Sequence, residues 1–107
     1  MSANAKPQRS WLHIEVSGES MSPNLRPGDY VIGKRSSKFQ PGQVVLLEDT
    51  NFRLVIKRLT RSEGANWWVE GDNSSQSIDS RHYGPISPDQ LKAIIKFRYW
   101  PWPKLIK

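Results

Sequence analysis

Two Pro-Gly quartets, RPGD at 26–29 and QPGQ at 40–43, each open directly onto β-branched and apolar residues, YVIGK and QVVLLE. Each reads as a turn that feeds a strand. Ahead of the first, WLHIEV alternates with Leu12, Ile14 and Val16 on one face and Trp11, His13 and Glu15 on the other, the period of a half-buried strand. EDTN then turns the chain into FRLVIKRLT, SEGAN turns it into WWVE, and GDNSSQSIDSR forms a long polar loop. Strands at this spacing predict a mostly β sandwich or barrel.

Near the end SPDQ predicts one short helical turn over about 87–92, with Ser87 as N-cap, Pro88 at the first position and Gln90 closing a capping box. Ala93, Ile95, Phe97 and Tyr99 then alternate with Lys92, Lys96 and Arg98 as a last strand, and Pro101 and Pro103 are expected to end the pairing. Residues 1–10, MSANAKPQRS, read as a flexible polar tail, and 11–107 as one domain, since 107 residues suffice for a single core.

Composition removes several classes of function. The absence of cysteine excludes disulfides, thiol catalysis and thiolate metal sites, and two histidines, His13 and His82, leave little for zinc, so no metal and no cofactor are expected. No apolar run approaches the ~18 residues that span a bilayer, and the N-terminus lacks the apolar stretch of a signal peptide. A net charge of +6 is compatible with an anionic partner, but the basic residues are scattered rather than massed on one face.

The stretch EVSGESMSPNLRPGD, residues 15–29, places Ser20 just after a strand and beside Gly18, where backbone can approach closely. Such a loop taken alone is most often a turn without chemistry, and Ser22 keeps it from being a nucleophile elbow. If Ser20 is a nucleophile it needs a base. In RLVIKRL, Val55, Lys57 and Leu59 face one way, so Lys57 lies between apolar side chains. Burial disfavours the ammonium, and a neutral lysine can take a serine proton. A strand lysine is otherwise an ordinary solvated one. In the loop at 71–81, Asp79 and Arg81 are available to pair with each other or with backbone groups. His82 beside a cation, and His13 alone on a strand face, are weak candidates for a base.

Together these segments resemble the signal peptidase I family of Ser/Lys serine peptidases. The pattern G-x-S-M-x-P-x-L-x-x-G-D is met by Gly18, Ser20, Met21, Pro23, Leu25, Gly28 and Asp29. The lysine segment is met by VIKRL, and the G-D-N-x-x-x-S-x-D-S-R box by Gly71, Asp72, Asn73, Ser77, Asp79, Ser80 and Arg81. The resemblance implies a catalytic core of coiled, barrel-like antiparallel sheets, with Ser20 as nucleophile, Lys57 as general base and Ser77 orienting the amine. It places Gly18, Met21 and Pro23 at the oxyanion hole and substrate cleft, with the rest of the box structural. Some members carry a serine at the position of Gly18.

The chain's size and the lack of an apolar anchor are similar to the small nickel-type superoxide dismutase maturation proteases of that family. That implies removal of an N-terminal propeptide from a protein precursor, the nickel superoxide dismutase proprotein, in the cytoplasm, without nucleic acid and with room for peripheral membrane contact. Three other readings stand beside it. One is processing of exported preproteins in the manner of a type I signal peptidase. Another is the self-cleaving domain of SOS-type repressors, disfavoured because no helix-turn-helix precedes residue 11. The third is a non-enzymatic basic module that binds membrane or nucleic acid through Lys92, Lys96, Arg98, Lys104 and Lys107, with Trp100 and Trp102 beside them.

Overall fold

A computed structural model describes residues 10–107. The expected tail over 1–10 therefore lies, except for Ser10, outside the described residues. Seven strands run in chain order: β1 (Trp11–Glu15), β2 (Tyr30–Arg35), β3 (Val44–Glu48), β4 (Leu54–Glu63), β5 (Asn66–Glu70), β6 (Leu91–Trp100) and β7 (Lys104–Leu105), with one helical turn, α1 (Ser80–Tyr83), between β5 and β6. All pair antiparallel in one sheet ordered β1-β2-β6-β3-β4-β5, with β7 on β6. The mostly β expectation holds. No pairing joins β1 to β5 among the described residues, so the sheet is open there and not closed into a barrel.

The Pro-Gly quartets behave as read. Gly28 and Gly42 have φ of 90° and 92°, and the turns close with Asp29 N–H donating to Arg26 O at 3.0 Å and Gln43 N–H to Gln40 O at 3.4 Å. Proline first and a left-handed glycine second is the type II arrangement. Asp29, which ends the first quartet, is buried and paired with Arg98 of β6 at 3.2 Å, which fixes that turn to the sheet.

Strand β3 explains why the molecule has two cores. It lies between β6 and β4, and its run of apolar residues is buried on both faces. Val44 and Leu46 join Val16, Met21, Leu25, Val31, Ile56, Ala93 and Ile95 on one side, while Val45 and Leu47 join Leu59, Val69, Ile86 and Leu91 on the other. Each such side chain taken from water contributes roughly 1.5–3 kcal/mol. Gly33 on β2 lets the side chains of Ile14 from β1 and Ile95 from β6 close over the strand between them, because a Cβ there would lie 3.3 Å from Ile14 Cδ1 and 3.4 Å from Ile95 Cδ1.

The short helical turn expected near 87–92 is present as a 3₁₀ turn, Pro88–Gln90, with the Ser87/Gln90 capping box formed and β6 beginning at Leu91. Two other local expectations are corrected. The loop at 71–81 holds a second 3₁₀ turn, Ser74–Gln76, and runs into α1, capped by Asp79 with His82 returning the bond. Pairing also resumes after the prolines: Lys104 and Leu105 pair with Arg98 and Phe97, and Ile106 packs on the first core. Proline removes only its own donor, so the residues beyond Pro103 are free to bond.

Candidate active site

The loop after β1 is folded by its own backbone and by its apolar residues. Leu25 N–H donates to Met21 O at 3.0 Å and Ser22 N–H to Glu19 O at 3.1 Å, while Met21 and Leu25 sink into the first core. Ser20 is left half-buried on the wall of a cleft of about 350 Å³. Val16, Leu46 and Ile56 make its apolar lining, and Lys57 stands in the same cleft. Gly18 also borders it, with φ of 77°, so a side chain there would be strained although a Cβ would meet nothing within 4 Å. Pro23 is exposed and does not border the cleft, which corrects its expected place there. Met21 is chiefly a core residue that touches the cleft floor.

Alternation on β4 delivers Lys57 as expected. Val55 and Leu59 pack on the second core, and Lys57 between them is only 5 % exposed. Burial pushes its amine below the ordinary lysine value; the negative charge of Asp79 raises it part of the way back, and Arg81 lowers it. Its Nζ donates to Ser77 Oγ at 3.1 Å, and Ser77 Oγ donates to Asp79 Oδ2 at 2.6 Å. Ser20 and Lys57 meet as walls of one cleft, with no hydrogen bond between their side chains among the described residues. In an unliganded site such bonds are often long, and they tighten around substrate.

Asp79 is fully buried. Burial alone would raise its pKa, but Arg81, Ser77 and the amides of Gly71 and Arg81 donate to it and hold it well below the usual carboxylate range. Arg81 grips it through Nε at 3.0 Å and a terminal nitrogen at 2.7 Å, and also reaches Gly71 O at 3.2 Å. The other box residues have equally definite places. Ser80 Oγ accepts from Val69 N–H at 2.9 Å, tying the box to β5. Gly71 lies where a Cβ would overlap Ser77 Oγ and come within 2.6 Å of Ser77 Cβ and 2.7 Å of Ser20 O, so only glycine lets those groups meet.

Arg58 and Asn24 belong to the polar network around the cleft and escaped the sequence. Arg58 forms a forked pair with Asp72 at 2.8 and 2.9 Å, and Asn24 donates to the same carboxylate at 2.7 Å. Asn73 donates to two successive backbone carbonyls, those of Glu19 and Ser20, and Asp72 N–H meets Met21 Sδ at 3.4 Å. The only sequence signal for Arg58 is its place next to Lys57 on a strand, which aims it at the opposite face. His82 caps α1, and His13 lies against Tyr99 with Nδ1 and Oη 3.2 Å apart.

The described residues thus form a mostly β fold with a cleft walled by a loop serine and a buried lysine. Residues 2–92 match the Peptidase S24-like family, and the chain belongs to that family. It is 29% identical over 115 residues to mitochondrial inner membrane protease subunit 1 of Mus musculus, covering 83% of this chain and 69% of that protein. It is 40% identical over 114 residues to the subunit 1 of Xenopus tropicalis, covering 82% and 68%, and 31% identical over 121 residues to subunit 2 of Mus musculus, covering 84% and 69%.

These relatives give the nickel-dismutase assignment no support, and they correct the expected cytoplasmic location, since they are named for the mitochondrial inner membrane. That expectation rested on the resemblance in size and missing apolar anchor to the small maturation proteases. No helix among the described residues is long and apolar enough to cross a membrane, but this does not decide which surface the enzyme works beside.

Proposed function

We propose that this chain is a serine endopeptidase that cleaves protein precursors at a membrane in the manner of type I signal peptidases, with Ser20 as nucleophile and Lys57 as general base. The observation that carries it is the buried, pKa-depressed Lys57 amine, bonded to Ser77 and sharing a cleft with Ser20. Neutral Lys57 takes the Ser20 proton as Oγ bonds to the substrate carbonyl carbon; the resulting ammonium protonates the leaving amine as the peptide C–N bond breaks. Water, deprotonated by the same amine, then attacks the acyl-enzyme and releases Ser20. The Ser20 N–H faces the developing oxyanion.

β1 supplies the substrate track. It is an end strand, and Val16 N–H and O both bond toward β2, at Asp29 O and Gly28 N–H, as does Ser10 O toward Arg35 N–H. Peptide groups alternate, so those of His13, Glu15 and Ser17 face the cleft, ready to pair with an extended peptide. Membrane proximity draws support from the relatives and from Trp100 and Trp102, 58% and 68% exposed, beside Arg98 and Lys104 on a chain of net charge +6.

The purified chain is expected to cleave a membrane-directed precursor carrying its presequence, and Ser20→Ala or Lys57→Ala to abolish cleavage without unfolding. Faster cleavage of a nickel superoxide dismutase proprotein would overturn the membrane-precursor reading. Turnover retained in either variant would remove the dyad, and binding to liposomes or DNA with no peptidase activity would favour a basic adaptor module.

A further inference from the structure

Ser20 has no side-chain hydrogen bond among the described residues, so backbone alone sets where its hydroxyl starts. That backbone is held from outside its own loop by one residue. Asn73 N–H donates to Ser20 O at 2.8 Å, and Asn73 Nδ2 donates to Glu19 O at 3.0 Å, so both carbonyls flanking the nucleophile's amide end on Asn73. The Asn73 amide oxygen accepts from Ser75 Oγ at 3.3 Å, which sets which way the side-chain donor points, and Gln76 N–H donates to the Asn73 backbone carbonyl at 3.0 Å.

The same segment holds the base. Ser77, four residues on, receives the Lys57 amine, and the missing side chain of Gly71 leaves the room into which both Ser77 and Ser20 O pack. Nucleophile and base come from chain segments 37 positions apart, yet both are referenced to residues 71–77. A second link runs parallel, from Asn24 of the Ser20 loop to Asp72 and on to Arg58, the neighbour of Lys57.

We propose that Asn73 is a positioning residue for Ser20, its two hydrogen bonds setting the distance between the serine hydroxyl and the Lys57 amine. This rests on the Ser20/Lys57 reading. Proton transfer needs a donor and acceptor within about 2.6–3.2 Å, and a misplacement of about 1 Å costs on the order of 100-fold in rate. Asn73 touches neither reacting atom and bonds to no group of Lys57, so it acts on geometry and not on the amine's basicity.

Asn73→Leu is the discriminating variant, because it keeps the size and the backbone N–H and adds no charge near Lys57, but removes the donor to Glu19 O. Cleavage of one presequence peptide is followed across pH for wild type, Asn73→Leu, Ser75→Ala and Asp79→Asn, with thermal melts of each. Expected for Asn73→Leu is a fall in kcat of roughly 10- to 100-fold, with KM within about twofold and the midpoint of the acidic limb unmoved. Ser75→Ala, which only loosens the side-chain amide, is expected to lose less in the same pattern, whereas Asp79→Asn moves the midpoint. Asn73→Leu retaining more than half of wild-type kcat, or losing it with a moved midpoint, overturns the inference. Wild-type turnover that survives Ser20→Ala overturns the underlying dyad instead.

Discussion

Lys57 occupies a place where its charge is unwelcome, and that has consequences for both rate and stability. Its folded pKa lies below that of an unfolded lysine, chiefly through burial. The penalty is absent above the unfolded value near 10.4, grows as pH falls, and is complete below the folded value. Replacing the amine with an unbranched apolar side chain of similar length removes it, while Ser77 and Asp79 stay satisfied by each other and by Arg81. Lys57→Met is therefore expected to raise stability at pH 7 by about 1 kcal/mol, roughly 4–8 °C in Tm, while abolishing turnover. A melt showing Lys57→Met less stable than wild type would contradict the burial argument. The neighbouring pair 57 and 58 also shows what a sequence can disclose. Alternation along one strand was enough to place Lys57 among apolar groups, but the partners of Arg58 and Asn24 lie 14 and 48 positions away on Asp72, and no local period encodes them.

At the scale of elements, the cleft is a relation between the edge of β1 that is unpaired among the described residues, the Ser20 loop and β4. Strand alternation and the Pro-Gly turns made these elements readable, because each depends on neighbours in the chain. β7 and α1 were not readable: β7 depends on where β6 lies after the fold has formed, and α1 is a single turn held by the Asp79/His82 cap. The open edge makes a prediction of its own. A substrate peptide N-methylated at an amide that faces His13, Glu15 or Ser17 is expected to lose at least tenfold in kcat/KM, and one methylated at the adjacent outward amide to lose little. Equal losses at both positions would mean that substrate does not extend β1.

At the scale of the whole molecule, the two cores meet at β3 and the active-site box ties the Ser20 loop to β4 and β5, so the polar network is also a fastening of the fold. Asp72 and Asp79 both titrate below free carboxylates, Asp72 mainly through its bond to Arg58, and Asp79 by the larger margin because its donors outweigh burial. Depressed carboxylates contribute stability that is full above the unfolded value near 3.9 and is lost as pH falls through the folded values. Tm is expected to drop steeply below about pH 4, and Asp79→Asn to start lower and fall less over the same window; parallel curves would show that Asp79 is not a source of the acid sensitivity. Location, unlike fold, was not legible in the chain, because lacking a spanning segment constrains a helix and not the surface at which an enzyme works.

The most direct test is to titrate Lys57 itself. With its side-chain carbon isotopically labelled, the NMR midpoint of Lys57 is measured beside the acidic limb of kcat for presequence cleavage. The two are expected to coincide, below the ordinary lysine value near 10.4, with the limb absent from the inactive Lys57→Met and displaced to lower pH in Asp79→Asn, which removes the negative charge that raises the amine's pKa. A Lys57 that titrates at the ordinary value while kcat has already levelled off at lower pH would contradict its role as the base.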